Sequence, residues 1–141
     1  MVGGYEVDID GLLVKELENV AKLMKEEPDL RKKLYYFTAA FGIADRTVRV
    51  RYDRELALVV QVLQNTYNQF MARFTAIGQG DRVIPLDAKM IDDLADLTEY
   101  LAKSILKDQK ETYYLLQKFN ELAYYTTGPG YYVYLVNKKA T

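Results

Sequence analysis

The sequence predicts a mainly α-helical bundle of four to five helices with minor β structure, and three observations carry that prediction. Apolar residues recur at intervals of three and four through most of the 141 residues, which is the period of one helical face. Proline, glycine and aspartate fall between the periodic stretches, where caps and turns require them. Only three short pieces, near residues 5–9, 47–52 and 131–136, alternate with period two or concentrate β-forming residues. A chain of this length fills one domain, 1–141, and its ends, 1–10 and 128–141, are candidate extended arms.

Tyr5, Val7 and Ile9 alternate with Glu6, Asp8 and Asp10, the pattern of a short strand or arm. A first helix over about 11–26 places Leu13, Leu17, Val20 and Met24 on one face. Pro28 suits the start of a second helix, which carries Leu30, Leu34, Phe37 and Phe41 and ends at Gly42, a natural residue just past a helix. Val48, Val50 and Tyr52 then alternate with Thr47, Arg49 and Arg51 as in a strand. Asp53 is positioned to cap the third helix.

That third helix has the strongest pattern. Leu56, Val60, Leu63, Tyr67, Phe70, Phe74 and Ile77 step by four and three without interruption, and Val59, Val62 and Met71 widen the stripe, so it belongs at the centre of the bundle. Gly78 and Gly80 end it, and Pro85 and Asp87 introduce a fourth helix with Met90, Leu94, Leu97 and Leu101 in line. The run Lys107–Glu111 is polar at five successive positions, about 500° of helix with no face to bury. A break there is favoured, with Asp108 as cap and Glu111 as its partner. A fifth helix over about 109–126 turns Leu115, Phe119 and Leu122 inward, and Gly128-Pro129-Gly130 stops it. The closing Tyr131–Val136 run reads as β-prone, and the three extended pieces are expected either to pair in a small sheet or to reach a neighbouring molecule.

Composition bounds the chemistry. The chain holds 13 tyrosines and no histidine, cysteine or tryptophan, so it lacks the commonest general base and the most nucleophilic side chain. No catalytic residue, cofactor, metal or small-molecule substrate is expected. Met1–Asp8 has neither a basic nor an apolar leader region, and the apolar stretch Leu56–Leu63 is interrupted by Gln61 and too short for a bilayer. A soluble, cytoplasmic protein is expected.

Net charge is only −1, but it is distributed in blocks. Residues 1–30 carry eight acids and three bases, whereas 31–54 carry seven bases and two acids. Residues 87–99 are again acidic, with five acids to one base. Such blocks either neutralise one another inside one bundle or guide copies of the molecule together.

Three features are candidate interaction surfaces. Arg46, Arg49, Arg51 and Arg54, with Lys32 and Lys33 nearby, form the concentrated basic region, and Tyr35, Tyr36 or Tyr52 is available to stack on a base if nucleic acid binds. The acidic pI near 5.5 argues against that partner. Asp92, Asp96 and Glu99 share a helical face; oxygen ligands of that kind suit Mg²⁺ or Ca²⁺, but a solvated acidic face near a helix N-terminus explains them without a metal. The doubled tyrosines, Tyr35-Tyr36, Tyr113-Tyr114, Tyr124-Tyr125 and Tyr131-Tyr132, put neighbouring rings about 100° apart, one inward and one outward. With Tyr134, the last pair marks the C-terminal segment as a contact site. Gly78-Gln79-Gly80 lacks the lysine and hydroxyl of a phosphate-binding loop and is discarded.

The heptad helix Leu56–Ile77, the doubled tyrosines, the absence of cysteine and the Thr127-Gly-Pro-Gly-Tyr-Tyr tail resemble the small helical-bundle coat proteins of archaeal spindle-shaped and filamentous viruses. The resemblance implies a self-assembling virion component, located in the virion or host cytoplasm, with terminal segments reaching to neighbours. Scarcity of thermolabile residues fits a thermophilic setting. Coat proteins that wrap DNA are more basic than this chain, a departure that puts wrapping in doubt. The expected function is therefore a non-enzymatic structural protein acting as a homo-oligomer. The alternative is a small helical accessory subunit or transcription regulator associated with nucleic acid.

Overall fold

A computed structural model of the protein describes residues 8–76 and 88–140. Among the described residues run six helices and no strand: α1 (Ile9–Glu26), α2 (Leu30–Val50), α3 (Arg54–Ala76), α4 (Ala88–Ser104), α5 (Gln109–Tyr124) and α6 (Gly128–Ala140). The mainly helical bundle is as the sequence predicts. The helix count and the β segments are not.

Each segment expected to be extended is corrected for a local reason. Residues 47–50 prolong α2, because the inward stripe changes from large to small residues: after Phe37 it continues through Ala40, Ala44 and Thr47, all buried. The Thr47 hydroxyl bonds back to the Ile43 carbonyl at 2.8 Å. Gly42 lies inside this helix rather than past it. The alternation of Val48, Val50 and Tyr52 marks no sheet face, since Val50 and Tyr52 are both exposed. At the N-terminus, Asp8 caps α1 by accepting the Gly11 N–H at 2.9 Å, which makes Ile9 and Asp10 helical; residues 5–7 lie outside the described residues.

The C-terminal arm is α6. Thr127 caps it, its hydroxyl accepting the Gly130 N–H at 3.1 Å, and the fixed φ of Pro129 suits a first turn. The Gly-Pro-Gly run thus ends one helix and starts the next. Gly130 is required there for space: a Cβ at this position would meet the Tyr124 carbonyl oxygen at 1.8 Å.

The bundle is a ring. Neighbours around it are α1, α2, α3, α5, α4 and α1 again, with α2 also touching α4 across the middle. Asp53 and Arg54 border the same cleft as Gln109, so α3 and α5 start at the same end and run parallel. The core is where the inward stripes meet. Leu13, Leu17, Val20 and Met24 of α1, Leu34 and Phe37 of α2, Leu56, Leu63 and Phe70 of α3, Met90, Leu94 and Leu101 of α4, and Leu115, Phe119 and Leu122 of α5 are buried. Each large side chain contributes about 1.5–3 kcal/mol by leaving water. Phe37 and Phe119 approach to 6.1 Å between ring centres and tie α2 to α5. Phe74 and Ile77, the last steps of the heptad run, and the 78–87 segment lie outside the residues whose side chains are described.

The chain divides between α4 and α5 as the polar run predicts. Asp108 Oδ1 accepts the Glu111 N–H at 3.1 Å, and turn residues 105–107 separate the helices. Leu106 there has φ +63°, the left-handed region that L side chains rarely adopt. Its N–H donates to the buried Glu55 carboxylate at 2.7 Å, and the Ser104 and Thr112 hydroxyls pair beneath it at 3.0 Å. Glu55 therefore pins this corner from α3. A Leu106→Gly variant is expected to be more stable than Leu106→Ala by about 1 kcal/mol, because only glycine escapes the left-handed penalty. Urea unfolding of the two variants reads the difference; equal stability would remove the strain argument.

Candidate functional site

The predicted acidic face is used within the chain. Lys25 of α1 reaches α4, where it bonds Glu99 and lies 3.4 Å from Asp96. The hydrogen bond to Glu99 raises the Lys25 ammonium from its ordinary value, and the same contact holds the Glu99 carboxyl below the usual range. Asp92 stands 3.9 Å from Lys33, a buried lysine whose ammonium also caps the end of α1 at the Met24 carbonyl. Asp92, Asp96 and Glu99 thus tie α4 to α1 and α2 while their side chains stay partly exposed.

The arginines divide. Arg51 joins Asp10 at 2.6 Å across the ends of α2 and α1, and that hydrogen bond raises its guanidinium above the ordinary value. The acidic N-terminal block and the basic block therefore meet through helix ends, where a strand pair had been expected. Arg49 pairs with Asp45 one turn back. Arg46 and Arg54 are exposed and make no ion pair among the described residues. Beside them stand Tyr52, 73% exposed, and Val50, 68% exposed.

The tyrosines sort as helical geometry requires. In every doubled pair one ring is exposed and its neighbour is half-buried: Tyr35 against Tyr36, Tyr114 against Tyr113, Tyr124 against Tyr125, and Tyr132 against Tyr131. Tyr52 and Tyr100 are also exposed. Tyr134 is the buried one, 8% exposed, and it anchors α6 through ring contacts with Tyr125 at 5.5 Å and Tyr131 at 5.9 Å. Tyr5 lies outside the described residues.

Anchoring through Tyr131 and Tyr134 commits one side of α6 and turns the other outward. Tyr132, Val133, Leu135 and Val136 are all exposed. Near the anchored side, Arg73 of α3 is pulled below its ordinary value by burial, with Tyr131 opposing the change, and its Nη2 has no hydrogen-bond partner among the described residues. The Tyr125 hydroxyl donates to Glu121 at 2.8 Å; burial and that carboxylate raise it above the usual phenol value.

Two concavities bear on function. A cleft of about 520 Å³ at the start of α1 is lined, among the described residues, by Asp8, Asp10, Gly11, Val14, Lys15, Glu18, Ile105, Leu106 and Lys107. A groove of about 260 Å³ between α4 and α5 has Leu97, Tyr100, Leu122 and Tyr125 as its apolar lining and Asp93, Asp96, Glu121 and Lys118 as its charged rim. That is below the roughly 300–1,000 Å³ of sites that enclose small molecules. Sequence reasoning missed this groove. Its one visible signal is that Tyr100 and Tyr125 fall off the inward stripes of their helices.

No described helix is long and apolar enough to cross a membrane, and no group of three or more carboxylates able to hold a metal ion occurs among the described residues. No family model, curated protein or solved structure matches the chain.

Proposed function

We infer that this chain is a non-enzymatic assembly subunit that acts by self-association. One observation supports the reading above the others: α6 exposes Tyr132, Val133, Leu135 and Val136 together on a helix that already buries its opposite side. A helix apolar all round is normally covered on every side. Tyr132 alone, at 71% exposed, leaves on the order of 100–180 Å² of aromatic side chain in water. Val133, Leu135 and Val136 share that face, and a contiguous exposed apolar patch is the mark of a contact site on a soluble protein. Rings with a wet hydroxyl suit an interface that forms and dissolves.

The expected result is a rise in mass with concentration when the protein is followed by size-exclusion chromatography with light scattering. A monomer up to millimolar concentration, unaffected by salt, would sink the proposal. A coat or virion component is the narrower version, and it rests on the resemblance of layout alone.

A second reading, an accessory subunit on nucleic acid, is favoured by three exposed side chains close in sequence, Arg46, Tyr52 and Arg54. Cations plus a stacking ring are what single strands require. Asp10, Asp45 and Asp53 dilute the charge there, which ranks this reading second. Its test is a salt titration of oligonucleotide binding with Arg46→Glu and Arg54→Glu; a flat salt dependence removes it.

A further inference from the structure

We propose that the outward face of α6 docks into the α4–α5 groove of a second copy, so that the chain assembles head to tail. This deepens the self-association reading and rests on it.

The two surfaces complement each other. The groove offers an apolar lining of Leu97, Tyr100 and Leu122, with Tyr125 at its edge toward α6, beside three carboxylates and one ammonium. All three of those carboxylates already have cations, Asp93 with Lys89, Asp96 with Lys25 and Glu121 with Lys118, so the rim is close to neutral. The α6 sequence GPGYYVYLVNKKA holds no acid, is uncharged up to Asn137, and ends in two lysines. An apolar helix face that brings no charge of its own leaves these ion pairs undisturbed, so it is the occupant such a groove accepts with least cost.

A chain cannot fill its own groove with this face. Tyr134 seats α6 against Tyr125 at the groove's edge, and that seating turns Tyr132 and Val136 away. The face that is free belongs to the helix beside the groove, so the occupant comes from the next molecule. Pairing of α6 with α6 would set one convex helix on another and leave Tyr100 uncovered. A heterologous contact between two different patches repeats without closing unless the rotation forms a ring, which yields a filament or a ring rather than a dimer. One helix face in one groove is an interface at the small end, below about 1,200 Å², so assembly depends on concentration.

The test separates the two patches. Tyr100→Asp spoils the groove, and the pair Tyr132→Asp with Val136→Asp spoils the helix face; all three positions are exposed. Sedimentation velocity on the full-length chain is run on wild type, on each variant, and on their equimolar mixture, with circular dichroism to verify folding. Wild type is expected to form a ladder of oligomers, and each variant alone to associate at least tenfold more weakly. The mixture retains one good groove and one good face, so it is expected to give a 1:1 dimer that grows no further. A mixture that stays monomeric overturns the proposal, as does a Tyr100→Asp variant that assembles like wild type. The latter outcome, with the helix variant monomeric, would indicate α6–α6 pairing and leave self-association standing. Absence of any wild-type assembly would remove both readings. Where an aspartate variant unfolds, Tyr100→Ala and Tyr132→Ala carry the same comparisons.

Discussion

A Phe119→Ala variant is expected to lose about 3–5 kcal/mol of folding stability, the range for truncating a fully buried aromatic side chain. Phe119 is 0% exposed and sits where α5 meets its neighbours. Its ring faces Phe37 of α2, and its backbone carbonyl lies 3.5 Å from the Thr66 hydroxyl of α3. The ring is therefore where three helices converge, and a cavity there cannot be closed by moving one of them. Against a total of about 5–15 kcal/mol for a domain, the loss takes a large share. For a chain of this size it lowers the melting temperature by on the order of 10 °C. Tyr132→Ala is the matched control, since a surface truncation falls within about 0.5 kcal/mol. Guanidinium unfolding of the two variants checks the contrast. A Phe119→Ala loss below 1 kcal/mol would mean that α5 is not integral to the core.

That core was legible in the sequence because inward stripes of large apolar residues leave no competing reading. Leu13, Leu17, Val20 and Met24 are all buried, as their spacing predicts. The α3 stripe was legible but slightly rotated. The most buried positions are Leu56, Val59, Leu63, Thr66 and Phe70, while Val60 and Tyr67 of the expected heptad are half-buried. The rotation follows from α3 lying between α2 and α5, which centres its contact between two neighbours. The break before α5 was legible because five polar positions have nowhere to hide.

The errors share one physical source. Segments 47–52 and 131–136 are rich in valine, tyrosine and threonine, whose strand preference is a matter of packing context rather than of backbone. In 47–50 the context is the small-residue stripe of α2, and in 131–136 it is the cap at Thr127 with Tyr131 and Tyr134 one turn apart. The pairing of Lys25 with Glu99 spans 74 positions. No local pattern announces such a contact, so the cation that pairs with the acidic face is not legible in the sequence. The tyrosine pairs were read correctly because the 100° between neighbours depends on the helix alone.

Gly130→Ala is expected to unseat α6 from the bundle. In an ordinary helix interior this change adds about 1 kcal/mol of stability, since glycine is the poorer helix former. Here the sign reverses, because the new methyl would lie 1.8 Å from the Tyr124 carbonyl oxygen, with the Thr127 hydroxyl at 2.8 Å as well. A backbone oxygen cannot swing aside like the end of a flexible side chain. The attachment that must resist this overlap is modest: burial of Tyr134, about 1.5–3 kcal/mol, and its two ring contacts, about 0.5–1.5 kcal/mol each. Displacing α6 is therefore easier than compressing the junction. The ring of α1–α5 has its own core and is expected to stay folded, so the variant should keep most of its helical circular dichroism while tyrosine fluorescence and proteolysis report a released C-terminus. Released from Tyr125, α6 no longer presents Tyr132 and Val136 as a fixed face, and assembly is expected to weaken at least tenfold. Gly130→Ala that retains both a protected C-terminus and wild-type assembly would show that the Tyr124 carbonyl yields, and that the close approach at this junction is not what positions α6.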